Sequence, residues 1–337
     1  MPDHNSIHRM RRRLILCAAA SALWAMAAMR SSAFARTAYR LQPHDVHDFD
    51  WFDDTRGRMV PVRLYRPASA ALASEGIGQK LPLLVFSHGL GGSRAGYSYL
   101  ANFLASRGVA CLHPQHIGSD RSIWAAGSPF SLIDRLRSAS RDEEAVQRVR
   151  DLSFSLDRLS QTQFAIGIDT QRIVVAGHSY GANSALLMGG AQVSRQGRPV
   201  ILRDPRLNAV IAVSAPPFYG ESSLAAILST MDLPSLHISC TEDLIRIPGL
   251  NSGPEDRWAV FEAAGGLPKC LAMFEGGSHG VFTDREATGG FDANRRIKQA
   301  TCELVFAFLG LVFNRDQSSL LVWKAQHDAI LRQFVWR

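Results

Sequence analysis

Ile173-Val174-Val175-Ala176-Gly177-His178-Ser179-Tyr180-Gly181-Ala182 is the stretch that decides the fold. Ile173 to Ala176 is an apolar run without alternation, the pattern of a strand covered on both faces. From Ala182 to Met188 the residues are good helix formers. Between the two, Gly177-His178-Ser179-Tyr180-Gly181 fits Gly-x-Ser-x-Gly. A serine on a sharp strand-to-helix turn presents its hydroxyl outward, and flanking glycines remove the Cβ atoms that would crowd that turn. The five-residue pattern is common by composition alone. Its place between a buried strand and a helix is what makes Ser179 the predicted nucleophile.

From about Asp45 onward the chain alternates short apolar runs with longer amphipathic ones. Strands are predicted at Met59 to Tyr65, Leu81 to Phe86, Val109 to His113, Ala209 to Val213, Ser235 to Ser239 and Cys270 to Phe274. Helices are predicted at Tyr97 to Ser106, Arg141 to Gln161 and about Asn294 to Phe313. Such alternation predicts an α/β fold, a mostly parallel central sheet with helices on both faces in a single domain. No Pro/Gly-rich linker and no internal repeat divides it. The domain spans 36–337 with a core of about 58–313, leaving 36–58 and 315–337 as peripheral additions. Weakly periodic residues 117–140 read as an insertion near the site, a candidate lid.

A serine hydroxyl is a poor nucleophile at neutral pH and needs a base. His279, in Gly276-Gly277-Ser278-His279-Gly280 after the last predicted strand, is placed to serve. A carboxylate must then hold the imidazole in the right tautomer. Asp243, after the strand Ser235 to Ser239, is the candidate; its neighbour Glu242 is the alternative, and Asp204 precedes a strand rather than following one. The order Ser179, Asp243, His279 is that of the α/β-hydrolase fold. An oxyanion needs two donors, which the order assigns to the N–H groups of Tyr180 and of Leu90 in His88-Gly89-Leu90-Gly91-Gly92. Trp124, Phe130, Phe218 and Tyr219 are candidates for an apolar substrate pocket. These residues predict hydrolysis of carboxylic esters through an acyl-enzyme. Amide, thioester and polyester hydrolysis on the same groups, or a non-catalytic binding role, are the alternatives.

Leu83-Leu84-Val85-Phe86-Ser87-His88-Gly89-Leu90-Gly91-Gly92, the Gly-His-Ser-Tyr-Gly turn and the Gly-Gly-Ser-His loop resemble bacterial dienelactone-hydrolase-like proteins, relatives of the platelet-activating-factor acetylhydrolases. The resemblance covers roughly residues 58–310 and implies an α/β-hydrolase serine esterase, with a preference for small acyl groups. Two departures stand out. Dienelactone hydrolases use cysteine where this chain has Ser179. The acetylhydrolases carry their acid at a position that corresponds here to Ser214, a gap that Asp243 fills.

Composition bounds the partners. The 337-residue chain is 46% apolar and 20% charged, an ordinary globular balance. Its net charge of +7 owes much to residues 1–35, where five arginines stand against one aspartate. Arg11 to Arg13, an apolar run from Leu14 to Met29 and Ala33-Phe34-Ala35 form the pattern of a cleaved export signal, with a loose likeness to a twin-arginine signal. The mature chain is therefore expected in the periplasm or medium, without a membrane span. It has no long Lys/Arg run, so nucleic-acid binding has no electrostatic footprint. The expected partner is a small-molecule or lipid-like ester. No cofactor or metal is expected: His113, His116 and Asp120 lack an accompanying ligand cluster, and Cys111, Cys240, Cys270 and Cys302 show no CxxC spacing.

Overall fold

The computed structural model describes residues 43–68, 80–125, 131–221, 223–286 and 290–337. The expected export signal and Phe130 lie outside the described residues.

Among the described residues nine strands form one sheet. A hairpin of β1 (His44–Asp53) and β2 (Arg58–Pro67) leads in, followed by β3 (Leu81–Ser87), helix α1 (Ser98–Ala105) and β4 (Ala110–Pro114). Two short helices, α2 (Ser122–Ala125) and α3 (Leu132–Ser138), precede the long α4 (Asp142–Ser160). Then come β5 (Ile168–His178) and α5 (Tyr180–Met188), a small hairpin of β6 (Val193–Arg195) and β7 (Arg198–Val200), and β8 (Leu207–Val213). The chain continues through α6 (Leu224–Leu228), β9 (Ser235–Glu242), α7 (Pro254–Ala263) and β10 (Lys269–Ser278). It closes with α8 (Phe291–Asn314), α9 (Ser318–His327) and β11 (Leu331–Trp336).

The spatial order is β1-β2-β4-β3-β5-β8-β9-β10-β11. Strands β4 to β10 in that order are mutually parallel, whereas the β1–β2 hairpin and β11 join antiparallel at the two edges. This is the α/β-hydrolase architecture in a single domain. Alternate residues of the central strands serve opposite faces: Leu84, Phe86, Val174 and Ala176 pack with α1, α8 and α9. Leu83, Val85, Ile173 and Val175 pack with α4, α5, α6 and α7. Burial on both sides explains why these strands read as continuous apolar runs. Helix α8 is long and apolar enough to cross a membrane, but its apolar residues, among them Leu304, Val305 and Phe308, are spent on the first of these cores.

The expected core of about 58–313 is too narrow. Strand β1 pairs along its whole length with β2, and β11 pairs with β10. Leu320 and Trp323 of α9 are buried. Strand β1 alternates more and less exposed residues because one face of an edge is wet, and β11 buries none of its residues fully, so both lack the apolar run that marks the central strands. Within 117–140, α2 and α3 form a small separate cluster of Ile123, Leu136 and Ala139, with Leu90 and Ile247 against it. All four described cysteines are free and buried.

Candidate active site

The turn at Ser179 is as tight as its glycines suggest. Strand β5 ends at His178 and α5 begins at Tyr180, leaving Ser179 alone as the link at φ 56° and ψ −125°. A non-glycine residue there costs about 1–3 kcal/mol and persists only where its surroundings hold it. Ser179 N–H donates to Val213 O at 2.9 Å, and its carbonyl accepts from Ala182 N–H at 2.8 Å. A Cβ on Gly177 would stand 2.8 Å from Ala182 N and closer still to the Gly181 carbonyl. One on Gly181 would stand 2.7 Å from His88 O and meet the Ser87 carbonyl. Two backbones therefore touch through these glycines: β5 against α5, and α5 against the end of β3.

Three separate loops bring the predicted polar residues into one line. His279 Nε2 lies 2.8 Å from Ser179 Oγ, and its Nδ1 lies 2.6 Å from Asp243 Oδ1. Asp243 is fully buried, and its other oxygen accepts from Ser239 Oγ at 2.6 Å. Arg257 of α7, also buried, approaches both carboxylate oxygens at 3.4 Å. Burial by itself raises the Asp243 pKa. The hydrogen bond from His279 and the charges of His279 and Arg257 outweigh burial and hold the carboxylate well below its ordinary range. An ionised acceptor at Nδ1 leaves Nε2 free to take the serine proton. Glu242 is exposed, and Asp204 is bound to Arg206 and Ser153, so neither alternative acid reaches His279. Ser214 is buried at the end of β8, its N–H donating to Ile238 O.

His178 supports His279 from behind. Its Nε2–H donates to the His279 carbonyl at 3.1 Å, while Nδ1 accepts from Tyr97 Oη at 2.9 Å. The Tyr97 oxygen accepts in turn from Gly89 N–H at 3.2 Å. Burial pushes the His178 pKa down to about 3, so the ring is neutral, as this donor pattern requires.

Two N–H groups of residues that line the site lack an acceptor among the described residues. Tyr180 is the first residue of α5, so its N–H is one that a helix leaves unpaired. The Leu90 N–H belongs to the Gly89–Leu90 peptide, whose carbonyl accepts from Gly92 N–H at 3.0 Å and His88 Nδ1 at 2.8 Å. Since N–H and C=O of a trans peptide point oppositely, pinning the carbonyl aims the Leu90 N–H away from those partners.

A cavity of about 420 Å³ opens beside Ser179. Trp124, Phe218 and Tyr219 all line it, with Leu90 and Tyr180. Trp124 donates from Nε1 to Gly91 O at 2.8 Å, and its ring lies where a Cβ on Gly91 (φ 74°) would be. The sequence reading missed Asn183 and Leu187, which also line the cavity. Their four-residue spacing from Ser179 was the available signal, because it puts them on one helix face. It also missed Arg195 on the β6–β7 hairpin, which pairs with Asp142 at 2.7 Å and with Glu221 at the rim. Among the described residues no group of His, Cys, Asp and Glu is placed to hold a metal ion. His113 approaches Gly96 O, His116 sits between Ser87 and Asp151, and Asp120 binds Gln115 and Ser122.

Fold and site together define a class: the chain has the α/β-hydrolase fold, with Ser179, His279 and Asp243 joined in one hydrogen-bonded line. Residues 62–151 match the family profile of platelet-activating factor acetylhydrolase, isoform II. That span carries the Leu90 loop and the first half of α4 but ends before Ser179. A crystal structure from Klebsiella pneumoniae subsp. pneumoniae, described as a dienelactone hydrolase, shares the fold with a TM-score of 0.54 and 16% identity. It covers 78% of this chain and 98% of its own. In all, 923 solved chains match, a fold too widely used to define a substrate. Among curated proteins none matches the sequence.

Proposed function

We propose that the protein is a serine esterase that hydrolyses small to medium acyl esters through an acyl-enzyme. The observation that carries this reading is the hydrogen-bonded line Ser179–His279–Asp243 opening onto an apolar cavity beside two unengaged N–H groups. Ser179 attacks the ester carbonyl as His279 takes its proton, and the N–H groups of Leu90 and Tyr180 receive the oxyanion. Protonated His279, stabilised by Asp243, then gives its proton to the leaving alcohol. A water deprotonated by the same ring attacks the acyl-enzyme and releases the acid.

Helix geometry sizes the acyl group. Leu187 lies eight residues past Ser179, about 12 Å along α5 at 1.5 Å per residue. At about 1.2 Å per extended backbone-like bond, a groove of that length takes roughly ten bonds. The cavity volume falls within the range of small-molecule sites. Support for export is the pattern in residues 1–35; the mature amino terminus from a periplasmic fraction, read by mass spectrometry, tests it.

The deciding experiment is hydrolysis of p-nitrophenyl esters from acetate to decanoate by the wild type and by Ser179→Ala. Activity across this range that vanishes in the variant supports the reading. An inactive wild type, or an active Ser179→Ala, overturns it. Comparable turnover of anilides would move the assignment to an amidase.

A further inference from the structure

Arg148 sits on α4 with its side chain fully buried, which is costly for a group that stays charged. Its hydrogen-bond partners are all neutral. Nε donates to Ser184 Oγ at 3.0 Å, one terminal nitrogen to Ser119 Oγ at 2.8 Å, and the other to Ser87 Oγ at 3.1 Å and to the His88 carbonyl. The guanidinium carbon lies 4.6 Å from the centre of the Tyr180 ring.

These partners come from three segments, and each segment shapes the site. Ser87 and His88 end β3 and begin the Leu90 loop. Ser119 accepts Gly91 N–H on its carbonyl at 2.9 Å, pinning the far side of the same loop. Ser184 and Tyr180 belong to the first turns of α5, which supplies the other unengaged N–H. Because arginine only donates, every serine proton must point elsewhere. Ser119 donates to Glu144 at 2.7 Å, Ser184 to Tyr180 O at 3.1 Å, and Ser87 to His116 Nε2 at 3.0 Å. His116 Nδ1–H then donates to Asp151 at 3.1 Å, and Asp151 pairs with Arg56 and Arg58. The sealed trio Ser87–His116–Asp151 thus repeats the order of the site without its chemistry. Its serine is fully buried and accepts from a guanidinium.

We infer that Arg148 is a positioning residue of the oxyanion hole, tying the loop that presents Leu90 N–H to the helix that presents Tyr180 N–H. The inference rests on the esterase reading above. An interaction that fixes donors aimed at the oxyanion acts on the transition state more than on bound ester, so its loss lowers kcat and leaves KM nearly unchanged.

The test compares wild type with Arg148→Lys and Tyr180→Leu, which keeps the backbone N–H and removes the ring. Each is measured for kcat and KM on p-nitrophenyl butyrate, for inhibition by an alkyl trifluoromethyl ketone, and for melting temperature. The ketone forms a hemiketal oxyanion on the serine, so its Ki reports on the hole. The expected result for Arg148→Lys is a kcat lowered about 10- to 100-fold, by analogy with a misplacement of about 1 Å. KM should stay within about threefold, and Ki should rise in step with the loss of kcat/KM. Tyr180→Leu should shift Ki in the same direction by a smaller factor. If the lysine variant folds and keeps its kcat, or if both variants melt earlier with Ki unchanged, the inference is wrong. Should Arg148→Lys not fold, an unchanged Ki in Tyr180→Leu overturns it. An inactive wild type would instead overturn the esterase reading itself.

Discussion

Gly181→Ala probes the contact on which the whole elbow depends. The added Cβ would lie 2.6 Å from the Ser87 carbonyl carbon and 2.7 Å from the His88 oxygen. A relaxed carbon–carbon contact is about 3.5 Å, so α5 and the end of β3 must separate by roughly 1 Å. Neither side has slack, since Ser87 and His88 are held by Arg148 and α5 is packed into the core. Ser179 and Tyr180 start α5, whereas Leu90 follows β3, so the separation opens the oxyanion hole. It also strains the 2.8 Å bond between Ser179 and His279. A misplacement of this size costs about 100-fold in kcat. The assay is kcat on p-nitrophenyl butyrate alongside the melting temperature, with Gly57→Ala as control. Gly57, at φ 59° in the β1–β2 turn, has no atom within 4 Å of an added Cβ. Its substitution costs only left-handed backbone strain, about 1–2 kcal/mol, and should leave kcat unchanged. A Gly181→Ala enzyme with wild-type kcat and melting temperature would refute the argument that this glycine is required by contact.

Asp243→Asn should lower kcat by about 10⁴-fold, because an amide can donate to Nδ1 and stabilise the wrong tautomer; a loss below tenfold would remove Asp243 from the role. The wild-type carboxylate is held below its ordinary range, so the pH–rate profile should show no inflection from it near pH 4. Burial pushes His113, His178 and His237 down to about 3, below the unfolded value of about 6.5, so between these values the unfolded chain binds more protons. Stability is thus complete above about pH 6.5 and falls by about 1.4 kcal/mol per unit for each ring down to about pH 3, or roughly 2 kcal/mol per ring between pH 7 and 5. Urea unfolding at pH 7, 6 and 5 measures this, and a flat profile would contradict it. Leu187→Phe should shift the preferred acyl length downward and spare acetate turnover, as read from the p-nitrophenyl ester series; an unchanged profile would place the acyl group elsewhere.

The parts of the site that carry the chemistry are legible in the sequence because chemistry restricts their identity. Ser179 needs glycines at 177 and 181, and those glycines are required by backbone contacts that tolerate no Cβ. Asp243 and His279 follow strands, so the order of the chain finds them. The parts that hold the site are drawn from distant segments and leave no local pattern. Arg257 sits on α7, with no motif around it, and reaches Asp243. Strands β1 and β11 were hidden for another reason: they lie at the two edges of the sheet, partly exposed, and lack the continuous apolar run of the central strands. Arg148 shows where a sharper reading was available. On α4 the buried residues Arg148, Val149, Asp151, Leu152, Ser155, Leu156 and Leu159 form one stripe at three- and four-residue spacing. Two charges within that stripe mean that an arginine and an aspartate enter the core. A buried charge must find partners, which periodicity along one helix cannot name. For Arg148 they are Ser87, Ser119 and Ser184, three serines that composition counts as ordinary surface residues. A charge on the apolar stripe of a helix flanking the nucleophile strand is therefore a sign that the helix braces the site as well as the core.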